Sequence, residues 1–344
     1  MPPPTSTPLY KLLSIDILCT VLGRSLFHPI LPWFLPLALL AQDFRLHHPP
    51  VYLSLLYSAI ITAFHLACHF NQVLAFGPSR TFDWTEEVVL ITGGASGLGL
   101  LIAEVYGMRG VTVAVLDKNI PGEGEFETRG VYFYQCNVAD PAKVRETVKK
   151  VEEELGDVTV LINNAAVVHG KRLIDLSDDE IDVSLGANLK GCYNTIRAVL
   201  PGMISRGQGS VVTIGSVLAT LPAKGTGLYA PTKAAVQALH HVLSAETKAY
   251  KGIKTLLVTP GQMRTPLFDG VETPSSFFAP VLEPVEVAKG VIAAVDEGRG
   301  GELSLPLFAR WASVYWVLPA STRRVLRWWS GMDNAMEGFK GKKE

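Results

Sequence analysis

The chain has few cysteines and almost no net charge. Four cysteines are spread over 344 residues without CxxC spacing, so the sequence predicts neither a disulfide framework nor a cysteine metal site, and we expect no bound metal. Lys and Arg total 31 against 32 Asp and Glu, a net charge of -1, which gives no basic field for nucleic acid. Nucleic acid is therefore not an expected partner.

Charged residues are missing altogether from one segment near the N-terminus. Residues 51–70 contain no Asp, Glu, Lys or Arg, and a helix of this length spans roughly 30 Å, the thickness of the bilayer hydrocarbon core. A second uncharged stretch, residues 26–41, is shorter and contains Pro29, Pro32 and Pro36, which favours a kinked, re-entrant or second membrane segment. The sequence thus predicts a membrane-anchoring region over residues 1–80, with a buried helical subdomain as the alternative.

Beyond residue 85 the pattern changes to that of an α/β domain. Residues 88–91 form a β-branched run typical of a buried parallel strand. A glycine-rich turn, a helical stretch and a second apolar run ending at Asp117 follow it. Such a turn lets a pyrophosphate approach the N–H groups at a helix start without a Cβ in the way. A carboxylate at Asp117 would repel a 2′-phosphate, so NAD is favoured, with NADP left open because Lys118 could offset the repulsion.

Apolar runs and helical stretches continue to alternate up to residue 305. The predicted strands are residues 88–91, 111–116, 131–134, 158–162, 210–214, 254–258 and 303–305. Seven strands in this alternation predict a doubly wound (Rossmann) parallel sheet. Ligands of such sheets bind beyond the carboxyl ends of the strands.

Several short motifs follow those strand ends in a fixed order. They are Thr92-Gly93-xxx-Gly97-x-Gly99, Asn163-Asn164-Ala165, Ser216, Tyr229-xxx-Lys233 and Pro260-Gly261. Over residues 85–305 this pattern resembles the short-chain dehydrogenase/reductase family. The resemblance implies that Tyr229 is the acid/base, that Lys233 holds the nicotinamide ribose, that Ser216 binds the substrate oxygen, and that Asn188 supports a proton-relay water. From the residues alone, a cation one helical turn from a phenol should lower the pKa of that phenol.

The same resemblance implies a set of contacts to the dinucleotide. The residues that match are Gly93, Ser96, Gly97, Leu98, Gly99, Asp117, Asn137, Val138, Asn163, Asn164, Ala165, Tyr229, Lys233, Pro260, Gly261 and Thr265. Two positions depart from the family pattern. Asn137 stands where aspartate is frequent, and Ala166 where glycine is usual. Family members often form dimers, so a homodimer is possible.

The C-terminal third carries the features of a lipid-directed enzyme. Residues 266–280 are apolar and fall where the family places its substrate lid, although a packed surface loop is an equal alternative. Residues 306–344 interleave tryptophan with arginine, which is typical of an interfacial segment. Together with the apolar N-terminus they resemble the membrane-bound branch of retinol and 17-beta-hydroxysteroid dehydrogenases of the endoplasmic reticulum and lipid droplets.

We therefore expect an oxidoreductase that transfers a hydride between NAD(P) and a lipophilic alcohol or ketone, such as a retinoid, a steroid or another lipid. It is expected at the endoplasmic reticulum or lipid droplet, with its catalytic domain in the cytosol. Two alternatives stay open. One is an NADPH-dependent carbonyl reductase, and the other is a membrane or lipid-droplet protein with residual cofactor binding.

Overall fold

The computed structural model describes residues 14–120, 128–273 and 275–341. The chain divides into two compact units, Met1–Gly77 and Pro78–Glu344. Four parts of the sequence predictions lie outside the described residues. They are residues 1–13 of the anchoring region, residues 121–127 of the predicted α/β domain, Pro274 of the lid, and residues 342–344 of the C-terminal segment.

The first unit is helical. It contains α1 (Ile15–Arg24), a 3-10 turn (Leu31–Trp33), α2 (Phe34–Ala41) and the long α3 (Pro49–Phe76). Among the described residues, α3 is the one helix that is long and apolar enough to cross a membrane, with a mean hydropathy of 1.7 over its 18-residue window. Only 22% of that window is buried, unlike the core helix of a soluble protein. The helix includes the predicted span, residues 51–70.

The proline-containing stretch over residues 26–41 folds back along α3. Prolines remove backbone donors, so carbonyls in this stretch need other partners. The Tyr57 hydroxyl donates to the Leu26 carbonyl at 2.6 Å, and the Thr62 hydroxyl donates to the Pro29 carbonyl at 3.1 Å. The Trp33 indole N–H donates in turn to the Thr62 oxygen at 2.9 Å. Side chains of α3 thus hydrogen-bond main-chain carbonyls that lie outside the short helices of this stretch.

The second unit contains the predicted seven-stranded Rossmann sheet, and all its strand pairs are parallel. The strands are β1 (Val88–Thr92), β2 (Thr112–Asp117), β3 (Val131–Gln135), β4 (Val158–Asn163), β5 (Gly209–Ile214), β6 (Ile253–Pro260) and β7 (Gly301–Leu305). Their order across the sheet is β3-β2-β1-β4-β5-β6-β7. The order reverses between β1 and β4, where doubly wound sheets open a crevice for ligands.

Helices cover both faces of the sheet. The helices of the second unit are α4 (Gly97–Met108), α5 (Pro141–Leu155), α6 (Asp178–Ser184), α7 (Gly191–Arg206), α8 (Tyr229–Thr247), α9 (Pro284–Asp296), α10 (Leu307–Arg310) and α11 (Ala320–Ser330). Helices α4 and α9 share one apolar core with the sheet, and α5, α7 and α8 share the other. Coverage on both sides explains why the strands read as continuous apolar runs.

A buried ion pair joins the start of this unit to the sheet. The Arg80 guanidinium donates to both carboxylate oxygens of Glu87 at 2.6 and 2.7 Å. It also donates to the Thr159 carbonyl and to the Ser210 hydroxyl, each at 3.2 Å. Both charged side chains are less than a tenth exposed. Because Thr159 lies on β4 and Ser210 on β5, the pair ties the chain before β1 to two neighbouring strands.

Residues 306–341 pack onto the rest of the second unit. Ala309 and Ala312 are buried with Val217, just beyond β5, and the Trp316 indole N–H donates to the Thr220 carbonyl at 2.7 Å. On α11, by contrast, Trp328 is 82% exposed. The C-terminal segment therefore has one side against the catalytic fold and one exposed aromatic side.

Candidate active site

The glycine-rich turn joins β1 to the start of α4. Gly93 and Gly97 adopt φ values of 65° and 60°, which favour glycine. A Cβ on Gly99 would lie 2.5 Å from the Asn164 amide nitrogen, so no larger residue fits. A Cβ on Gly97 would meet only the Thr265 methyl, at 3.9 Å. That gap, at the N–H end of α4 between Ser96 and Leu98, suits a pyrophosphate.

The end of β4 is fastened to this turn by a polar network. The Thr92 hydroxyl oxygen accepts from the backbone N–H groups of Asn164 and Ala165, both at 3.1 Å. The Asn164 amide donates to the Thr92 and Gly93 carbonyls at 3.2 and 2.8 Å. Sequence reasoning included Thr92 only as part of a motif, but its hydroxyl fixes the floor of the crevice.

Asn163 is buried below that floor. Its side-chain oxygen accepts from the Thr195 hydroxyl of α7 at 2.6 Å. Its amide nitrogen is a buried donor without a partner among the described residues. A buried unpaired donor is uncommon in a folded protein and points to a polar group that binds there.

Asp117 ends β2 beside the glycine turn. One carboxylate oxygen accepts from the Ala95 N–H and the other from the Asn119 N–H, each at 3.1 Å. A carboxylate oxygen has room for a second donor, so both oxygens can still accept from ribose hydroxyls. After β3, Asn137 is exposed and caps its own loop through the Ala139 N–H. Val138 next to it is buried.

These residues fit a dinucleotide. The gap at Gly97, the unpaired Asn163 donor and the remaining acceptor capacity of Asp117 all lie at the carboxyl ends of β1, β2 and β4. They offer donors where a pyrophosphate is anionic and acceptors where a ribose has hydroxyls.

The Tyr229–Lys233 pair opens helix α8. The helix begins at Tyr229, as expected from Pro231, which is tolerated only in a first turn. Lys233 lies one turn later, and its ammonium is 5.8 Å from the centre of the Tyr229 ring. The ammonium donates to the Ile214 carbonyl, at the end of β5, at 2.7 Å. Both side chains are buried.

Ser216 lies two residues beyond β5 and is buried beside the tyrosine. Its hydroxyl oxygen accepts from the Leu218 N–H at 3.1 Å, and it is near enough to the Tyr229 phenol to lower the pKa of that phenol. The two hydroxyls therefore lie next to each other at the carboxyl edge of the sheet, close to the Lys233 ammonium.

Burial dominates the protonation of this pair. It raises the pKa of Tyr229 to about 12, against a smaller lowering by the hydrogen bond with Ser216. It also lowers the pKa of Lys233 to about 8. The lowered tyrosine pKa expected from a neighbouring cation is not found, because burial raises this pKa and only the interaction with Ser216 opposes it.

Asn188 lies in the π-helical turn between α6 and α7, Leu185–Lys190. Its side-chain oxygen accepts from the Val167 N–H at 2.7 Å, and its amide donates to the Val167 carbonyl at 3.0 Å. The amide also donates to the Thr232 hydroxyl at 3.0 Å, and that hydroxyl donates to the Tyr229 carbonyl at 2.8 Å. The side chain of Asn188 thus connects the loop after β4 to the first turn of α8. The role of Thr232 was not expected from the sequence.

The segment after β6 closes the other side of the site. Pro260 ends the strand, and Gly261 donates its N–H to the Leu305 carbonyl at 2.6 Å. Thr265 precedes a 3-10 turn, Pro266–Phe268. The ring of Phe268 meets the Tyr229 ring edge-on, with 5.2 Å between centroids. The structure therefore brings the predicted residues after β1, β4, β5 and β6 to one edge of the sheet, with an apolar wall beside the phenol.

Known proteins match this chain over the same region. The family model for short chain dehydrogenase matches residues 87–275. An uncharacterized oxidoreductase of Saccharomyces cerevisiae is 34% identical over 71% of this chain and 82% of its own length. Human epidermal retinol dehydrogenase 2 is 31% identical over 79% of this chain and 91% of its own, and human short-chain dehydrogenase/reductase 3 is 31% identical over 77% and 90%.

Solved structures share the fold. A short-chain dehydrogenase from Streptomyces avermitilis superposes with a TM-score of 0.57 at 26% identity, covering 71% of this chain and 97% of that one. A 3-ketoacyl-(acyl-carrier-protein) reductase from Brucella melitensis, in complex with NADH, gives a TM-score of 0.56 at 22% identity over 65% and 98%. The chain belongs to the short-chain dehydrogenase/reductase family, in its retinol dehydrogenase-like branch, and is an NAD(P)-dependent oxidoreductase that acts on the CH–OH group of its donors.

Proposed function

We propose that this oxidoreductase interconverts a lipophilic alcohol and its ketone or aldehyde, with Tyr229 as the acid/base and NAD as the preferred cofactor. One observation carries the proposal. The hydroxyls of Ser216 and Tyr229 lie close together beside the buried Lys233 ammonium, next to a glycine turn with room for a dinucleotide.

Each side chain has a distinct task in this chemistry. Tyr229 exchanges the proton of the substrate hydroxyl, and Ser216 donates a hydrogen bond that orients the substrate oxygen. Lys233, held by the Ile214 carbonyl, places a positive charge beside the site and reaches a nucleotide ribose. The residues of the turn, with Asp117, would hold the nicotinamide dinucleotide, which supplies or accepts the hydride.

The lining of the site supports a lipophilic substrate. Phe268 is buried against Tyr229, and Leu218, Ala166, Val168 and Val271 pack around the same pair. Apart from the reacting hydroxyls, this wall offers carbon atoms to a ligand. Packing an alkyl or polyene chain against this apolar wall lowers the free energy of the complex. A sugar placed there would lose its hydrogen bonds to water. The names of the human relatives, which include a retinol dehydrogenase, agree with this class.

Membrane attachment fits the same class of substrate. Helix α3 exposes large apolar side chains, with Phe64 63% and Phe70 61% exposed, and a lipid phase would cover them. We infer that the first unit anchors the protein, at the endoplasmic reticulum or a lipid droplet, with the catalytic unit in the cytosol. Alkaline extraction of cell membranes tests the anchor, because only an inserted protein stays with the pellet.

The pKa of Tyr229 supports carbonyl reduction as a second candidate direction. A phenol with a pKa near 12 keeps its proton at neutral pH, so Tyr229 holds the proton that reduction of a carbonyl oxygen requires. The carboxylate of Asp117 argues against NADPH as the donor in that direction.

The test is turnover by the full chain in detergent. Lipid alcohols and ketones are offered with NAD(H) and NADP(H), and NADH absorbance is followed. Tyr229→Phe should lower the rate by about 10²–10⁴-fold, because the proton carrier is lost, and should leave NADH binding unchanged. Tyr250→Phe, at a tyrosine that is 42% exposed, is the matched control. Equal rates in the Tyr229→Phe and control proteins would reject the assigned acid/base.

A further inference from the structure

The last residues of the chain return to the active site. We call residues 331–341, which follow α11, the C-terminal strap. Met336 is buried in one cluster with Tyr229 and Phe268, and Phe339 packs against that cluster. Both side chains therefore reach the apolar wall that faces the catalytic phenol, although they lie about a hundred residues beyond it in the sequence.

The loops around the site are shaped to receive the strap. The ring of Phe339 lies where a Cβ on Gly170 would be, and the Gly338 carbonyl lies where a Cβ on Gly270 would be. Gly170 is in the loop after β4, and Gly270 is in the segment after β6. A side chain at either glycine would displace the strap, so two separate loops leave room for it.

Polar contacts hold the strap near both of its ends. The Arg327 guanidinium of α11 pairs with the Asp333 carboxylate and donates to the Pro222 carbonyl at 3.0 Å. Asp333 also accepts from the Lys224 N–H at 3.2 Å. At the other end, the Lys340 N–H donates to the Asp269 carbonyl at 2.9 Å. The strap thus bridges the loop between Ser216 and Tyr229 and the segment after β6.

With the strap in this position the site is closed. Tyr229 is only 7% exposed, and the cleft beside it, lined by residues 169–171, 176, 184 and 226–229, leaves no room even for a water molecule. Pockets for drug-sized ligands are about 300–1,000 Å³. A lipid alcohol therefore reaches the phenol only when part of the wall moves. The strap crosses the wall through a few hydrogen bonds and two apolar side chains, so few contacts oppose its separation.

We propose that the C-terminal strap is the movable wall of the substrate site, and that Met336 and Phe339 determine which lipophilic substrates reach Tyr229. This inference rests on the proposed function. Phe339 gives the wall a rigid face, whereas Met336 has a flexible thioether chain that adapts to irregular apolar ligands. Substrates that fit beside both side chains allow the strap to close again and exclude water from the phenol.

The test compares the Met336→Ala and Phe339→Ala variants with the unsubstituted protein, all as full-length chains in detergent. Val317→Ala is the matched control, because Val317 lies in the same C-terminal segment and is 83% exposed. Retinol binding is followed by its own fluorescence, and kcat/KM is measured for straight-chain 2-alkanones of increasing length. In both strap variants, the ratio of kcat/KM for long alkanones to kcat/KM for short alkanones should change by about tenfold or more. A change of this size is expected when a hydrophobic pocket changes by a few carbon atoms. NADH binding should stay unchanged.

A second variant tests the movement without altering the wall. Asp333→Asn removes the charge that holds Arg327 and should speed the association of retinol, with Met336 and Phe339 intact. Retinol affinity and length preference equal to those of the control in both alanine variants would overturn the proposal.

Binding and turnover separate the two ideas. If the unsubstituted protein binds retinol and the strap variants change that binding, yet no alcohol or ketone is turned over, the activity is rejected and the strap assignment stands. If the unsubstituted protein neither binds retinol nor turns over any alkanone, both are refuted.

Discussion

Replacing Lys233 by methionine tests how strongly burial opposes its charge. Burial lowers the pKa of Lys233 from 10.5 to about 8. In the unfolded chain the lysine keeps its proton up to about 10.5, whereas in the folded protein it loses it near 8. Between these values the unfolded state binds more protons, so the folded protein gains stability as the pH rises. Below about 8 both states are protonated, and the gain is absent.

The size of the effect follows from the two pKa values. One pKa unit corresponds to about 1.4 kcal/mol, so the free energy of unfolding of the natural protein should rise by about 3 kcal/mol, relative to Lys233→Met, between pH 8 and pH 10.5. The variant also loses the hydrogen bond to the Ile214 carbonyl. That loss costs about 1–3 kcal/mol at every pH and shifts the two curves by a constant.

The assay is urea unfolding of both full-length proteins in the same detergent at several pH values. Taking the difference between the curves removes the contributions of all groups that the two proteins share. Lys251→Met, at an exposed lysine, controls for the loss of one positive charge. If the free energies of unfolding of the natural protein and of Lys233→Met differ by the same amount at every pH from 8 to 10.5, the claim that the folded site disfavours the Lys233 charge is refuted.

Three further substitutions test other parts of the fold. Asp117→Ala should raise the affinity for NADP relative to NAD by about fivefold or more, since repulsion at contact distance is worth on the order of 1–4 kcal/mol. An unchanged ratio of dissociation constants would contradict the NAD preference. Gly99→Ala should weaken NADH binding, measured by fluorescence, by about tenfold or more, because the added Cβ would overlap Asn164. The control is Gly23→Ala, whose added Cβ would have no atom within 4 Å. Arg80→Met should lower the free energy of unfolding by about 3–5 kcal/mol by leaving Glu87 buried and unpaired, and the double variant with Glu87→Leu should recover part of that loss. A single-variant cost below about 1 kcal/mol would show that the carboxylate finds another partner.

The sheet could be predicted from the sequence because its signals are local. Each strand is a short apolar run with both faces buried, and the predicted bounds differ from the observed ones by at most two residues, as at Ile253–Pro260. The parallel order follows from the alternation of strands and helices and from the way such units connect. The positions of Ser216 and Tyr229 at the carboxyl edge follow in turn, since each comes just after a strand or opens the next helix.

The strap could not be predicted in the same way. Residues 331–341 show no strand or helix periodicity, and the place of Phe339 depends on Gly170 and Gly270, far away in the sequence. The positioning hydroxyl of Thr232 was missed for a similar reason. A threonine inside a helix gives no sign of its partner until the turn around Asn188 is folded beside it.

The protonation of Tyr229 shows the limit of reasoning from neighbours. A lysine at i+4 predicts a lowered phenol pKa from charge alone, but the effect of burial depends on every residue packed around the ring. Phe268 contacts that ring, and removal of its phenolate from water raises the pKa to about 12. The Lys233 ammonium is itself penalised by burial and donates to the Ile214 carbonyl. A sequence names both groups, but it does not give the dielectric environment that decides between them.

The arginines and tryptophans near the C-terminus make the same point about composition. Their mixture predicts a lipid-facing segment, and Trp328 and Trp329 are 82% and 68% exposed. Arg327 lies just before them but binds the protein itself, because its guanidinium pairs with Asp333 and donates to the Pro222 carbonyl. Moving it to a lipid headgroup would leave the Asp333 carboxylate without that partner and release the strap. One turn of α11 thus carries two tryptophan rings suited to a membrane interface and an arginine whose guanidinium is bound at the active-site wall. Substituting the tryptophans would affect contact with the membrane, whereas substituting Arg327 would affect the strap.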